Sequence, residues 1–161
     1  MKKVVLDYWE CIHACNVGLT RHVESCIKGR KARFPERKPD ELLLHHQHGA
    51  LGEAAFSKLA KVYWGGHVNR FHEADVGLKI EVRWSARPDL KIRADDNDIY
   101  VVSMSGALSD CVDQKFPFIY NGYIYSEDAK QDCWLKDPNG SRAPAYFVPH
   151  KDLNPELPPR D

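Results

Sequence analysis

The hydrophobic period of this chain changes once, and that change limits the fold more than any other feature. Over residues 4–28 the positions Val5, Tyr8, Trp9, Ile12, Cys15, Leu19, Val23 and Cys26 recur at spacings of three and four, the repeat of one face of an α-helix. Gly29 supplies a stop and Gly18 a weak point inside. Residues 40–63 keep the helical repeat, with Asp40 placed to cap and Leu42, Leu43, Leu44, Leu51, Ala55, Leu59 and Val62 forming a stripe. Gly49 and Gly52 lower helix propensity in its middle, so it reads as one long helix or two short ones. From residue 78 the repeat is two: Leu78, Ile80, Val82 and Trp84 alternate with Lys79, Glu81 and Arg83. Leu90–Arg93, Ile99–Met104, Phe116–Tyr125 (with Asn121-Gly122 offering a turn) and Ala145–Pro149 are further short strands. Helices followed by a run of strands predict an α+β fold, a mixed central β-sheet flanked by helices.

A chain of 161 residues suits one domain over 1–161. It divides into an N-terminal helix and basic loop (1–40), a core (41–153) and a proline-bearing tail (154–161). Apolar residues at 43% are enough to build a core and argue against disorder. No apolar run approaches the length of a membrane span, so no membrane partner is expected. The N-terminus reaches Asp7 and Glu10 too soon for a secretory signal, and five cysteines are an odd number. Both point to free thiols in a reducing, cytoplasmic compartment.

Equal totals of 23 basic and 23 acidic residues conceal an asymmetry. Residues 1–40 hold 9 basic and 5 acidic side chains, so the remainder carries the compensating acid excess. The segment Lys28, Arg30, Lys31, Arg33, Arg37, Lys38 concentrates that basic charge around Pro35. Its composition suits contact with a phosphate backbone, and equally a solvated loop. The acid excess elsewhere leaves room for cation binding at another face.

Three carboxylates stand out. Glu53 lies in Gly49-Ala50-Leu51-Gly52-Glu53-Ala54-Ala55-Phe56, among small and apolar neighbours. There a buried charge needs a cation or donors. Glu81 and Arg83 share one face of a strand whose other face is apolar. Asp75 precedes Glu81 by six residues, about 20 Å along a straight strand and too far for one ion. Only a bend at Val76-Gly77 brings the two together. Two strand carboxylates plus a helix glutamate make a hard oxygen site suited to Mg²⁺ or Mn²⁺, whereas an exposed, salt-bridged strand is the default for such a pattern.

These residues resemble the PD-(D/E)xK nuclease superfamily, whose fold is restriction-endonuclease-like. The pattern is closest to small phage- and prophage-encoded members. It comprises Gly49-Ala50-Leu51-Gly52-Glu53 on a helix, Asp75-Val76-Gly77, Glu81-Val82-Arg83 on a strand, and Ile92-Arg93-Ala94-Asp95. Gly122-Tyr123-Ile124 and Tyr146-Phe147-Val148-Pro149 also fit, so the likeness covers roughly residues 45–153. The resemblance implies a metal-dependent DNA endonuclease from a phage or bacterium. Asp75 and Glu81 would be metal-binding acids, Glu53 an extra acid from the helix, and Val82 a backbone-carbonyl ligand. Arg83 stands where the superfamily usually has lysine; arginine cannot act as a general base but can clamp a phosphate. Lys28, Arg30, Lys31, Arg33, Arg37 and Lys38 would track DNA, and family members commonly act as homodimers. The alternative is an inactive nuclease-fold module that binds DNA or a protein partner.

Two further patterns yield less. Cys11, Cys15, His22 and Cys26 have zinc-ligand chemistry, but Cys11 and Cys26 would lie about 22 Å apart on one straight helix, so core cysteines are the better reading. His45, His46 and His48 read as a solvated helix face with a secondary option of DNA contact.

Overall fold

A computed structural model describes residues 1–30, 38–68, 74–136 and 144–159. The chain begins with a strand, β1 (Lys2–Leu6), where the helical repeat had suggested helix from residue 4. Helix α1 (Tyr8–Ile27) starts only after Asp7, which forms a reciprocal cap. Asp7 accepts the Glu10 N–H at 2.9 Å, and Glu10 accepts the Asp7 N–H at 2.8 Å. The Asp-x-x-Glu cap outweighs the apolar period on its N-terminal side.

Helix α2 (Pro39–Ala60) follows with Pro39 in its first turn and runs unbroken past Gly49 and Gly52. The weak point at Gly18 is a crossing point instead of a break. A Cβ there would lie 2.5 Å from Gln47 Cα, so only glycine lets α1 approach α2 so closely.

Among the described residues seven strands form two sheets, with β2 (Ile80–Trp84), β3 (Asp89–Arg93), β4 (Tyr100–Ser105), β5 (Phe116–Tyr125), β6 (Leu135–Lys136) and β7 (Ala145–Pro149) following β1. The larger sheet has the order β1-β5-β4-β2, the smaller β3-β7-β6. The larger sheet is mixed: β2 and β4 are parallel, and β4–β5 and β1–β5 are antiparallel. Asn121-Gly122 makes no turn. It sits inside β5 opposite a bulge at Ser103/Met104, and Gly122 takes φ +133° there. Leu78 is excluded from β2 and is solvent-exposed in the loop that precedes it.

Helix α2 covers one face of the larger sheet. Leu51, Ala55 and Phe56 bury against Leu6, Ile80, Val82, Met104 and Tyr120. Burying each large side chain contributes about 1.5–3 kcal/mol. The opposite face meets the smaller sheet, where Leu90, Ile92, Val101, Val148 and Leu153 form a second core. Adjacent residues Val101 and Val102 therefore point into different cores, as expected for a strand buried on both faces. The fold is α+β, with both long helices on one side and a second sheet on the other.

Helix α1 packs outside α2 and places only Cys11 and Ala14 in the core. Trp9 is 74% and Val23 45% exposed, so much of the apolar repeat of this helix faces solvent. The tail is docked: Asn154 pairs with Tyr123, and the Tyr120 hydroxyl donates to the Glu156 carbonyl. Among the described residues, no helix is long and apolar enough to cross a membrane.

Candidate metal and phosphate site

Val76 pairs with Ile80 in both directions, N–H to carbonyl at 3.1 and 3.3 Å, and Gly77 takes φ +62°. This narrow hairpin is the bend the sequence spacing requires. It lays Asp75 against the free edge of β2, where Asp75 Oδ2 accepts the Val82 N–H at 2.8 Å. The N–H and C=O of one strand residue project to the same side. The Val82 carbonyl therefore faces the same open edge as Asp75, because β4 occupies the other side of β2.

Glu81 extends from the face of β2 opposite Ile80 and Val82 and is partly buried. Among the described residues it makes no hydrogen bond and no close ion pair. Burial raises the Glu81 carboxyl above the usual range; Arg83 and Arg93 oppose this, and Asp96 and Glu53 add to it. Asp75 is pushed well above the carboxylate range by burial, then by the charges of Glu53 and Glu81, against its Val82 hydrogen bond and Arg21. These two acids hold negative charge with too little compensation.

Glu53 is in a different condition. It is 5% exposed. Arg21 grips it with two parallel bonds, Nη1–Oε1 at 2.6 Å and Nη2–Oε2 at 2.7 Å. Trp64 Nε1 donates to Oε2 at 3.2 Å. Arg21 Nε donates to the His67 carbonyl at 2.8 Å, which fixes the guanidinium. Burial works against the Arg21 charge, yet Glu53 raises its pKa overall. This is the cation-and-donor set that the apolar context of Glu53 demands.

Arg83 is similarly engaged, which alters its expected phosphate-clamping role. Its Nη2 donates to Asp96 Oδ1 at 2.7 Å and its Nη1 to the Lys91 carbonyl. Asp96 also accepts the Arg93 N–H at 2.6 Å. Burial would raise the Asp96 carboxyl, but Arg83 and the Arg93 N–H hold it below the ordinary range. The acid that meets Arg83 is Asp96, one residue beyond the Ile92-Arg93-Ala94-Asp95 motif, whose Asp95 is exposed.

The structure brings Glu53, Asp75 and Glu81 into one electrostatic neighbourhood. No three His, Cys, Asp or Glu side chains among the described residues converge on one point suited to a metal. Glu53 is committed to Arg21, which leaves Asp75, Glu81 and the Val82 carbonyl as the available oxygens. Of the basic segment, Lys28 is exposed and paired with Glu24, Arg30 is partly buried and Lys38 is exposed at the start of α2. Lys31, Arg33 and Arg37 lie outside the described residues. The histidines are more than a solvated face: His48 stacks on Trp84 at 4.2 Å and His46 meets His22 at 5.6 Å. Burial lowers the pKa of both His46 and His48, aided at His46 by His22.

Sequence reasoning missed Arg21, Trp64 and Asp96. Arg21 and Glu53 are 32 positions apart, and only the α1–α2 crossing joins them. The Ile92-Arg93-Ala94-Asp95 motif pointed to an acid just after β3, and the neighbouring Asp96 is the one that turns inward. No family model matches the chain, and no curated protein or solved structure is significantly similar to it.

Proposed function

We propose that this protein is a divalent-metal-dependent DNA phosphodiesterase of PD-(D/E)xK type, with a variant of the restriction-endonuclease-like fold. The observation that carries the reading is that Asp75 lies on the open edge of β2 with Glu81 near enough to raise its pKa, both with raised pKa and neither in a salt bridge among the described residues. A partly buried pair of carboxylates short of positive charge fits Mg²⁺ or Mn²⁺. Such ions commonly use one or two protein carboxylates and retain several waters. Asp75, Glu81 and the Val82 carbonyl would hold the ion. When bound it would lower the pKa of a water and offset charge on the scissile phosphate.

The other residues act around that centre. Arg21 pairs with Glu53 and offsets part of the negative charge that this helix carboxylate brings to Asp75 and Glu81. Arg83, tied to Asp96 and the Lys91 carbonyl, orients the face of β2 that carries Glu81. Phosphate contact then falls mainly to the basic segment beginning at Lys28, which gives affinity without sequence reading.

The same arginine contacts favour a second reading, a non-cleaving module on this fold that binds DNA. Cleavage of linear, single-stranded and four-way-junction DNA, with EDTA, Mg²⁺ or Mn²⁺, separates the two. Metal-dependent cutting that Glu81→Ala abolishes supports the first. Salt-sensitive DNA binding without cutting supports the second, and cutting unaffected by Glu81→Ala overturns the assigned site.

A further inference from the structure

The smaller sheet has one face in the second core and one turned away from it. Leu90 and Ile92 of β3 and Val148 of β7 point into that core. By alternation, Asp89, Lys91 and Arg93 point outward, opposite Pro149, Phe147 and Ala145. Lys136 of β6, paired with Ala145, joins them. The outer face of an antiparallel sheet is ordinarily polar. Here it is mostly cationic: among the described residues, Lys91, Arg93, Lys136 and the nearby Arg87 share it with one carboxylate, Asp89.

Three of these cations converge on one ring. Arg87 Cζ lies 5.3 Å from the centre of Phe147, Lys136 Nζ 5.7 Å and Lys91 Nζ 5.8 Å. The ring attracts cations, and the side-chain stems help to cover it, so Phe147 is 7% exposed. Covering one ring does not require three cations that repel one another. Asp89 answers Arg87, accepting from Nε at 3.0 Å and from Nη2 at 3.2 Å. Lys136 is exposed and has no ion pair among the described residues.

This face adjoins the candidate metal site. Arg83 donates to the Lys91 carbonyl and to Asp96, which also accepts the Arg93 N–H. These bonds fasten β3 to the strand that carries Glu81, and Arg93 is near enough to act on the Glu81 charge. Lys91 and Arg93 are two positions apart on one side of β3, about 7 Å, a spacing that suits successive phosphates of an extended strand. A small anion would engage part of this row, whereas a polyanion uses all of it. Phe147 lies beneath the cations and offers no open ring to a base, so contact is with the backbone.

We propose that the outer face of the smaller sheet, through Arg87, Lys91, Arg93 and Lys136, binds the phosphate backbone of a nucleic acid and leads it toward Glu81. The choice of a nucleic acid over other polyanions rests on the phosphodiesterase reading of the Asp75–Glu81 edge.

The test follows the fluorescence anisotropy of a labelled oligodeoxynucleotide, single-stranded and duplex, with the full chain in EDTA over a range of NaCl. Lys91→Gln/Lys136→Gln removes two charges and keeps the stems over Phe147. Lys3→Gln/Lys61→Gln removes the same charge from exposed positions elsewhere. The first pair should weaken binding about tenfold and reduce the slope of log K against log salt by about 1.4–1.8, and the second should change little. Lys136→Glu, one exposed change at a sheet edge, should also weaken binding, which keeps the test decisive if the double variant fails to fold. Equal losses in the two double variants overturn the proposal, as does a wild type that binds no oligonucleotide. Polyglutamate competing as well as the oligonucleotide overturns it too and assigns the face to acidic proteins. EDTA separates this binding from cleavage: absent cutting in Mg²⁺ with the expected binding pattern counts against the phosphodiesterase reading alone, and intact cutting with unchanged binding by Lys91→Gln/Lys136→Gln counts against this surface alone.

Discussion

Replacing Arg21 with methionine keeps the aliphatic stem and removes the guanidinium that grips Glu53. The two bonds it forfeits measure 2.6 and 2.7 Å, and the side chains of Arg21 and Glu53 are 13% and 6% exposed. Water therefore cannot take over as it would on a surface. Removing one partner of a buried pair costs about 3–5 kcal/mol, because the other charge is left uncompensated. Here the penalty should lie toward the upper end, since Asp75 and Glu81 already place negative charge near Glu53. For a chain of this size the loss lowers Tm by about 6–20 °C. The assay is thermal and urea unfolding of wild type, Arg21→Met, Glu53→Leu and the double variant, at neutral pH in EDTA. The double variant should recover much of what Arg21→Met loses, because it no longer buries an unpaired carboxylate. Additive single losses below about 1 kcal/mol, the value of an exposed ion pair, would refute the reasoning.

In EDTA, Glu81→Gln or Asp75→Asn should raise stability at neutral pH, and either should eliminate the Tm gain that Mg²⁺ gives wild type. That gain is about 2.7 kcal/mol at a hundredfold excess over Kd. The pH profile follows from the signs. Asp75 and Glu81 have raised folded pKa values, so their burden is absent at low pH and grows as pH climbs from about 4 through those values. Asp96 has a depressed value, so its contribution is present above about pH 4 and is lost as pH falls through its folded pKa. Stability in EDTA, followed by denaturant unfolding across pH, should therefore peak on the acid side of neutrality, and Mg²⁺ should move the peak upward. Gly122→Ala should cost about 1–3 kcal/mol in urea unfolding, because its Cβ would fall 2.7 Å from Leu153 Cβ at φ +133°. A thiol-reactive dye should label Cys26, Cys111 and Cys133 rapidly in the native protein. Cys11, buried and pushed up to about 12 chiefly by desolvation, should react only on unfolding.

Legibility in the sequence follows the range of the interaction. The change of period located α2 and strands β2 to β5 and β7 because it depends on neighbours a few residues away. The Asp75–Glu81 relation was legible because a six-residue gap leaves the chain only one way to bring them together. The strand at Lys2–Leu6 was not, since Val4, Val5 and Leu6 continue the helical repeat and only pairing with β5 reveals their state. The outer face of α1 misled for a related reason. Its apolar period is real, but α2 covers one side, and a period cannot say which apolar residues a neighbour will reach. Arg21 escaped notice because nothing near it in sequence distinguishes it from any helix arginine.

The four carboxylates around β2 divide by what meets them. Glu53 and Asp96 each have an arginine with terminal nitrogens turned onto them, Arg21 on one and Arg83 on the other. Those contacts hold the terminal nitrogens of both arginines on Glu53, Asp96 and the Lys91 carbonyl, so Asp75 and Glu81 feel them only at longer range. A chain that needed only to fold could neutralise these two by protonation, as their raised pKa values show them tending to do. Protonation satisfies charge and leaves a poor cation ligand. In the proposed reading a divalent ion satisfies charge and keeps both groups ionised, at the β2 edge, where the Val82 carbonyl is also open. Under that reading, the two clamped arginines offset only part of the charge on Asp75 and Glu81, and a single Mg²⁺ would supply the rest.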